Sequence, residues 1–311
     1  MALLFYHGPC LDGEMCRSLL ENKIPHLISI SVLAGKLSFS LIQEKLAQNL
    51  ERKIDQIFIC DLSISQEILN ALELLPQKVY IFDHHKNSIS FVPANVTYIS
   101  GTFCAAILIW NKMYPDLKEV PLMLKYIDDQ DCGRHILPHT ADVLNAIHFR
   151  KRTQNLFQMM KEFNLEEYKK EGTILTEYRQ RQIKDMVQFG DTRRLEWKGK
   201  TYSLLLLTGD RSLRSFGLEE SKAELTFFYT YNIKSNEFWI ACRSRDIDLL
   251  PWVSCIRWLN VEGNFESGGG HSKACGFTVN NQTQFLFPSG EVKEISFTCW
   301  LTDLLSCIAK C

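Results

Sequence analysis

The sequence predicts an α/β protein of two lobes, the first built on a doubly wound parallel sheet. Short apolar strands alternate with helices of about ten residues near the N-terminus, a pattern typical of a parallel sheet with helices on both faces. A charged, helical stretch follows at 151–188, with Gly172 as its one glycine. Beyond it, apolar β-type segments indicate a smaller C-terminal lobe of mixed α/β structure.

Apolar, β-branched runs predict the strands of the first lobe, and apolar residues at helical spacing predict its helices. Met15, Leu19 and Leu20, for example, share one helical face. Ser63 or Ser65 is the expected N-cap of the third helix. In chain order the predicted elements are strand 2–6, helix 14–21, strand 26–32, helix 39–50, strand 56–60, helix 65–75 and strand 78–82.

The same reasoning covers the rest of the chain. Residues 105–127 are mainly helical, with breaks at Pro115 and Pro121. We expect an N-terminal domain at 1–160, a helical connector at 161–190 and a C-terminal domain at 191–311. The elements predicted in that last domain are strands 201–207, 223–231, 237–243 and 276–280 and a final tail helix, 300–309.

Composition restricts the classes of partner. The 311 residues carry 35 basic and 36 acidic side chains, whereas proteins that coat long nucleic acids by charge have a basic excess. A small or short anionic ligand in a local pocket is therefore expected. No apolar run reaches membrane-spanning length and no signal-peptide pattern is present, so we expect a cytoplasmic protein without a membrane partner. The 11 cysteines form no C-x-x-C pair, so a zinc ribbon or thioredoxin-like motif is not expected. Their odd number and the lack of a secretion signal favour reduced thiols.

Acidic and histidine side chains follow three of the predicted strands where each strand ends. His7 follows the first strand, Asp61 the third, and Asp83-His84-His85 lies at the end of the fourth. Because ligands of parallel sheets bind beyond the carboxyl ends of the strands, we expect these side chains to lie together. The other clusters are Asp12 with Glu14, and Asp128-Asp129-Gln130-Asp131.

Carboxylates combined with imidazoles predict a two-metal site for phosphoryl transfer. Mn²⁺ and Mg²⁺ prefer carboxylate oxygens, and imidazoles shift the preference toward manganese, iron, cobalt or zinc. Asp61, central in the expected sheet, would bridge two ions. The predicted ligands are His7 and Asp12 for one ion and Glu14, His84 and Asp129 for the other.

Some of these residues also have simpler explanations. Asp12-Gly13 has the composition of an ordinary turn, and Asp61 could cap the helix after its strand. Three histidines outside the pattern are interpreted as surface or packing residues: His135, His139 and His148.

Six segments of the chain form an ordered set of motifs. They are Phe5–Glu14 (FYHGPCLDGE), Ile59–Ser63 (ICDLS), Phe82–Asn87 (FDHHKN), Ser100–Ala106 (SGTFCAA), Tyr126–Asp131 (YIDDQD) and Gly268–Gly276 (GGGHSKACG). Together they resemble the DHH phosphoesterases with a DHHA1 C-terminal domain. That superfamily includes RecJ-type exonucleases, oligoribonucleases and certain cyclic-dinucleotide phosphodiesterases.

The resemblance implies roles for individual residues of the N-terminal domain. His85 would lie beside the scissile phosphate, and Asp83 would orient the imidazoles. The catalytic set would then be His85, Asp61 and Asp83. The metal ligands that the resemblance implies are His7, Asp12, Asp61, His84 and Asp129.

In the C-terminal domain the resemblance implies a pocket for the terminal phosphate and bases of the substrate. Consecutive glycines let backbone N–H groups approach an anion closely, and a following histidine adds a donor. The residues of the expected pocket are Arg243, Ser244, Gly268, Gly269, Gly270 and His271.

Three positions qualify the resemblance. Glu14 stands where the common pattern has Asp, and its extra methylene would shift or weaken the second ion. Ser267 replaces a fourth glycine. In the segment YIDDQD, Asp129 is the predicted ligand and Asp131 the second choice.

The leading hypothesis is a phosphodiesterase that uses two Mn²⁺ ions, replaceable by Mg²⁺ or Co²⁺, and releases nucleoside 5′-monophosphates from short oligonucleotides. The alternatives within the enzyme class are hydrolysis of linear or cyclic dinucleotide signals and phosphatase action on a 3′,5′-bisphosphorylated nucleotide. A nucleotide-binding sensor with an impaired metal site is the alternative from another class, and Glu14 favours it. Pyrophosphate hydrolysis is disfavoured because that branch has a different C-terminal domain. The expected partner is a short oligonucleotide or dinucleotide, and a homodimer is left open.

Overall fold

The computed structural model describes residues 1–33, 36–85, 89–209, 217–234, 236–251, 256–259, 265–267, 269–279, 283–286 and 292–294. Its contacts divide the chain into two compact units, Met1–Thr176 and Glu177–Cys311. The division falls inside the helix Leu165–Gln188, within the stretch expected as a connector. Within the described ranges, no helix has both the length and the apolar character needed to cross a membrane.

A five-stranded parallel sheet forms the centre of the first unit. Its strands are β1 Ala2–His7, β2 Leu27–Val32, β3 Gln56–Cys60, β4 Lys78–Asp83 and β5 Val96–Ser100. Their order is β2-β1-β3-β4-β5, and each neighbouring pair is parallel. Strand order reverses at β1 and β3, which is the switch point where such sheets bind ligands.

Helices cover both faces of this sheet. They are α1 Leu11–Lys23, α2 Phe39–Ala47, α3 Gln66–Leu72, α4 Ala105–Met113, α5 Leu122–Asp131, α6 Thr140–Arg150 and α7 Leu156–Lys161, followed by α8 Leu165–Gln188. Ser65 caps α3, because its hydroxyl oxygen accepts a hydrogen bond from the N–H of Ile68.

Alternation along the strands explains the two layers of helices. Leu4 and Tyr6 of β1 belong to a buried cluster with residues of α1, α4, α5 and α6. Leu3 and Phe5 point to the opposite face and join a second cluster with α2 and α3. Both faces are therefore buried, as the near-continuous apolar strands predict, and the predicted doubly wound sheet is confirmed.

The second unit contains a mixed sheet. Its elements in chain order are β6 Asp191–Trp197, β7 Lys200–Thr208, α9 Gly217–Glu220, β8 Leu225–Asn232, β9 Glu237–Ser244, β10 Ile256–Leu259, β11 Phe265–Ser267, β12 Gly269–His271, β13 Ala274–Val279, β14 Thr283–Leu286 and β15 Val292–Glu294. Six strands follow the order β12-β13-β9-β8-β7-β6, with β7 and β8 parallel and the other pairs antiparallel. A smaller sheet has the order β11-β10-β14-β15. The expected mixed α/β character of this lobe is confirmed.

Several boundaries differ from the sequence-based expectation. Helix α1 begins at Leu11, three residues earlier than predicted, so Asp12 and Gly13 are helical and do not form a turn. Strands β5 and β6 were not predicted; β6 carries three charged residues among its first four, which hides its strand pattern. The final helix predicted at 300–309 lies outside the described residues.

Candidate metal centre

The carboxyl ends of three neighbouring strands bring the predicted acidic and histidine residues together. Tyr6 of β1 pairs with Cys60 of β3, and Cys60 pairs with Phe82 of β4. The three strands therefore end level with one another at this edge of the sheet. The residues that directly follow this level are His7, Asp61 and Asp83.

Asp61 is the centre of the cluster. One carboxylate oxygen, Oδ2, lies 3.2 Å from His7 Nδ1, and the other, Oδ1, lies 3.3 Å from His84 Nε2. The side chain is 2% exposed, and the backbone has a left-handed φ of 56°. Burial raises the pKa of Asp61, but hydrogen bonds from His7 and His84 outweigh burial and lower the pKa to about 2. Asp61 is therefore a carboxylate with one imidazole on each side, and Ser65, rather than Asp61, caps the next helix.

His84 connects Asp61 with helix α5. Its Nε2 atom also lies 3.1 Å from Asp131 Oδ2. Hydrogen bonding to Asp131 and then to Asp61 raises the pKa of His84 to about 11. The ring is therefore an imidazolium in this arrangement, and its positive charge balances part of the negative charge of the carboxylates.

Asp12 approaches the cluster from α1 and is fully buried. Its two oxygens accept hydrogen bonds of 2.8 Å from the N–H groups of Ala105 and Ala106, at the start of α4. Burial, followed by repulsion from Asp61 and Asp131, raises the pKa of Asp12 to about 8. Asp12 thus caps α4 while lying among other carboxylates.

Gly13 explains how α1 comes this close to the end of β1. A Cβ atom at this position would lie 2.0 Å from the carbonyl oxygen of His7. Only glycine allows that contact, and it places Asp12 against the strand end. The Asp-Gly pair of the first motif therefore has a packing reason.

Asp129, the ligand predicted from the sequence, has a different environment. Its carboxylate accepts hydrogen bonds from the N–H groups of Ile136 and Leu137 and from the hydroxyl of Thr140. Asp131 instead lies within the His84 cluster. Residues three apart share a helical face, so Asp128 and Asp131 of α5 point together and Asp129 points away. The geometry therefore favours Asp131, the second choice, over Asp129.

Glu14 also departs from its predicted role. Its carboxylate forms an ion pair with the ammonium group of Lys151. It belongs to none of the potential metal-binding groups found among the described residues. Position 14 is two residues beyond Asp12 on α1, so its side chain points to another side of the helix. The arrangement removes Glu14 from the carboxylates that could hold an ion.

His85 forms a pair with Asp83. Their atoms Nδ1 and Oδ1 are 2.6 Å apart; Asp83 is fully buried, whereas the His85 side chain is 41% exposed. The hydrogen bond from His85 to Asp83 raises the pKa of His85. Asp83 holds one face of the pair inside the protein, and His85 is the accessible member.

Four groups of potential ligand atoms occur among the described residues, and in each group the atoms lie within 4.8 Å of one another. Asp61 belongs to three of them, and two of these three form the candidate centre: one contains His7, Cys10 and Asp61, and the other contains Asp12, Asp61, His84 and Asp131. Asp12 therefore lies with His84 and not, as predicted, with His7. The remaining groups are Asp61 with His84 and His85, and His84 with Asp131 and Cys132. Clustered carboxylates and imidazoles fit divalent metal ions.

Two thiols beside the cluster were missed by the sequence reasoning. Cys10 Sγ lies 3.8 Å from Asp131 Oδ1, and Cys132 Sγ lies 3.8 Å from His84 Nδ1. Burial raises the pKa of both thiols. Their positions next to acidic and histidine motifs were a usable signal, because Cys10 precedes Asp12 by two residues and Cys132 directly follows Asp131. The described cysteines are free thiols, as expected.

The predicted pocket of the C-terminal domain is described in part. Backbone pairing places His271 opposite Ala274 and Ala274 opposite Arg243, so His271 and Arg243 lie at the same level of the sheet. Ser244 is buried, and its hydroxyl accepts a hydrogen bond from the N–H of Ile247. Gly269 and Gly270 lie in β12, whereas Gly268 lies outside the described residues. The hydroxyl of Ser244 thus serves a turn within its own domain.

No family model matches the chain. The uncharacterized protein R106 of Acanthamoeba polyphaga mimivirus is 21% identical to this chain over 165 residues. The match spans 50% of this chain and 39% of that protein, so this chain corresponds to less than half of the relative's length.

Three solved structures are similar in fold at low sequence identity. A pGpG-specific phosphodiesterase, PggH from Vibrio cholerae, has a TM-score of 0.43 and 16% identity, covering 90% of this chain and 93% of that one. Exonuclease RecJ bound to manganese has a TM-score of 0.49 and 12% identity, with 99% and 89% coverage. CDC45 from Entamoeba histolytica has a TM-score of 0.48 and 10% identity, with 99% and 95% coverage.

Proposed function

We propose that this protein is a metal-dependent phosphodiesterase that hydrolyses short oligonucleotides to nucleoside 5′-monophosphates with the help of two Mn²⁺ ions. The observation that carries the proposal is the pair of ligand groups sharing Asp61 at the carboxyl edge of the sheet. One carboxylate oxygen faces each imidazole. This arrangement suits a carboxylate that bridges two ions.

The residues that would hold the ions are drawn from three strand ends and two helices. Bound divalent ions would lower the pKa of water to near neutrality and stabilise charge on phosphate oxygens. Asp61 contributes negative charge without needing deprotonation at neutral pH, whereas Asp12 and His84, with their raised pKa values, must first release a proton. The proposed ligands are His7, Asp12, Asp61, His84 and Asp131.

His85 and Asp83 would act on the substrate side of the centre. The 2.6 Å hydrogen bond to buried Asp83 fixes the ring of His85 and favours its protonated form. An imidazolium in this position can donate a proton to a phosphate oxygen or to a leaving alkoxide. Because the His85 side chain is 41% exposed, a substrate can reach it.

Preference for short substrates is proposed from charge and from the glycine-rich segment of the second domain. With a net charge of −1, the chain lacks the basic excess that is typical of proteins that coat long polyanions. Arg243 and His271, level with each other in the sheet, would bind a terminal phosphate. Linear or cyclic dinucleotide signals and a 3′,5′-bisphosphorylated nucleotide remain the alternative substrates, because hydrolysis of each would use the same metal centre.

A substrate panel with Mn²⁺ tests the proposal. Wild-type protein is incubated with a 5′-phosphorylated dinucleotide, a short RNA, a cyclic dinucleotide and 3′,5′-bisphosphorylated adenosine, and products are identified by mass spectrometry. Asp61→Asn removes the central charge that would hold the ions and should reduce turnover by on the order of a hundred- to a thousandfold. Asp116→Asn makes the same chemical change at an exposed position and should leave turnover unchanged.

The outcomes separate the hypotheses. Mononucleotides formed by wild-type and Asp116→Asn protein, but not by Asp61→Asn protein, support the phosphodiesterase, and the fastest substrate gives its class. Equal activity of Asp61→Asn and wild type would contradict the metal centre. Binding without hydrolysis would favour a nucleotide-binding sensor. The argument for that sensor was Glu14, and it is weaker because Glu14 pairs with Lys151 and is absent from the clustered carboxylates.

A further inference from the structure

The thiol of Cys10 belongs to one of the two ligand groups of the candidate centre. Its Sγ atom lies within 4.8 Å of ligand atoms of both His7 and Asp61. The same atom lies 3.8 Å from Asp131 Oδ1, on the other side of the centre. Cys10 therefore touches both groups, whereas the sequence-based ligand set contained no thiol.

The local fold directs this thiol toward the site. Cys10 is the residue before the first turn of α1, and its side chain does not cap that helix. Its backbone carbonyl accepts the N–H of Glu14, which holds the residue in place at the start of the helix. The thiol is thus left for contacts with Asp131 and with the His7 group.

We infer that Cys10 is a thiolate ligand of the ion held by His7 and Asp61, so that this position of the centre has mixed nitrogen, oxygen and sulfur donors. The inference rests on the metal-dependent function proposed above and extends it to metal selectivity. On binding, the S–H bond breaks, the proton passes to solvent and sulfur donates its electron pair to the ion.

A thiolate changes which ions the centre prefers. Mg²⁺ and Mn²⁺ favour oxygen ligands, whereas Zn²⁺ and Co²⁺ bind sulfur and imidazole well. The position held by Cys10 should therefore bind Zn²⁺ and Co²⁺ more tightly than an all-carboxylate site would. A tightly held Zn²⁺ would compete there with Mn²⁺.

Cys132 provides a matched control. It belongs to a different group of potential ligands, with His84 and Asp131. Its Sγ atom is 3.8 Å from Nδ1 of His84, whereas Nε2 of the same ring faces Asp61 and Asp131. Its thiol is also 3.5 Å from the carbonyl oxygen of Thr102 and from Asp128 Oδ1. A Cys132→Ser variant therefore removes the thiol on the Nδ1 side of the His84 ring and keeps the thiol of Cys10.

The experiment uses the full chain loaded with Co²⁺, because thiolate-bound Co²⁺ has a sulfur-to-metal charge-transfer absorption in the near ultraviolet. Calorimetry measures Co²⁺, Zn²⁺ and Mg²⁺ affinity in parallel, and circular dichroism checks that each variant is folded. We expect the absorption in wild type and in Cys132→Ser and its loss in Cys10→Ser. Zn²⁺ affinity should fall in Cys10→Ser on the order of ten- to a hundredfold, by analogy with the loss of residues that support a metal site, and Mg²⁺ affinity should change far less.

The other outcomes overturn the inference in distinguishable ways. Co²⁺ binding without the absorption in wild type would leave the metal centre standing and remove Cys10 from it. An absorption that survives in Cys10→Ser and disappears in Cys132→Ser would identify Cys132, and not Cys10, as the thiolate ligand. No Co²⁺ binding to wild type at all would overturn both this inference and the proposed metal-dependent function.

Discussion

At the scale of single residues, the decisive distinction lies within α5. Asp129 and Asp131 are two positions apart in a run of acidic residues, yet they point in different directions. Asp129 stabilises the loop before α6 by accepting three hydrogen bonds, and Asp131 faces His84. A structural carboxylate, Asp129, and a candidate ligand, Asp131, therefore lie only two positions apart in the sequence.

Matched substitutions should separate these two roles. Asp129→Asn replaces an acceptor oxygen with an amide that faces N–H donors, so it should lower the free energy of unfolding by about 1–3 kcal/mol. Asp131→Asn should instead weaken Mn²⁺ binding by on the order of ten- to a hundredfold, with a smaller effect on stability because its contacts are with the side chains of His84 and Cys10 rather than with backbone N–H groups. Denaturant unfolding of the metal-free proteins and titration calorimetry measure the two effects. The reverse pattern would restore Asp129 as the ligand.

His84 makes metal binding dependent on pH. Because its pKa is raised to about 11 without a metal, the ring carries a proton at neutral pH that an ion must displace. Affinity for Mn²⁺ should therefore rise as pH increases through the neutral range, with protons released on binding. In the metal-free protein, the same raised pKa contributes stability that is complete below pH 6.5 and lost as pH rises through 11.

Calorimetry in two buffers of different ionisation enthalpy measures the number of protons released. His139→Gln, which alters an exposed histidine of the same unit, should leave that number unchanged. Binding that releases no protons at neutral pH would mean that His84 keeps its proton and is not a ligand of the ion.

At the scale of elements, two helices of the first unit pack at distances that only glycine permits. Gly13 brings α1 against the end of β1. Gly172 does the same for α8, because a Cβ atom there would lie 1.8 Å from the carbonyl oxygen of Asp142 in α6. Arg150 reinforces this contact through ion pairs with Glu167 and Glu171 of α8. The one glycine of the charged helix is therefore a packing position.

Gly172→Ala tests this packing. Alanine would favour the helix by about 1 kcal/mol at an open position, but here the methyl group must push α8 away from α6. The net effect should be a loss of about 1–3 kcal/mol in the free energy of unfolding. Gln180→Ala, at an exposed position of the same helix, should be close to neutral in the same urea titration. A stabilised Gly172→Ala protein would show that the two helices can separate at no cost.

At the scale of the whole molecule, metal binding should appear as folding stability. An ion that binds the folded chain and not the unfolded one stabilises it by about 2.7 kcal/mol at a concentration one hundred times its Kd. We expect Mn²⁺ to raise the unfolding temperature of wild-type protein in a thermal scan. Asp61→Asn should lose this increase, whereas Asp116→Asn should keep it. An equal increase in all three proteins would indicate binding elsewhere.

Much of this architecture could be predicted from local sequence patterns. Alternating apolar strands and helices predicted the parallel sheet, and the level ends of its strands followed from it, so His7, Asp61 and His84 could be grouped before any contact was known. Strand β6 was not predicted because its N-terminal half, with Asp191, Arg193 and Arg194, is exposed and lacks an apolar pattern. Backbone pairing with β7, which lies next to it in the sheet, forms this strand.

Strand periodicity and residue chemistry are local properties, so they were enough to predict the fold class, the motif order and the kinds of side chain gathered at the sheet edge. Which members of each motif face one another depends on tertiary contacts. The tertiary structure paired Glu14 with Lys151, turned Asp129 toward a loop and placed Cys10 beside His7 and Asp61. These outcomes depend on the direction of each side chain from its helix and on partners distant in the chain, and neither can be read from spacing alone.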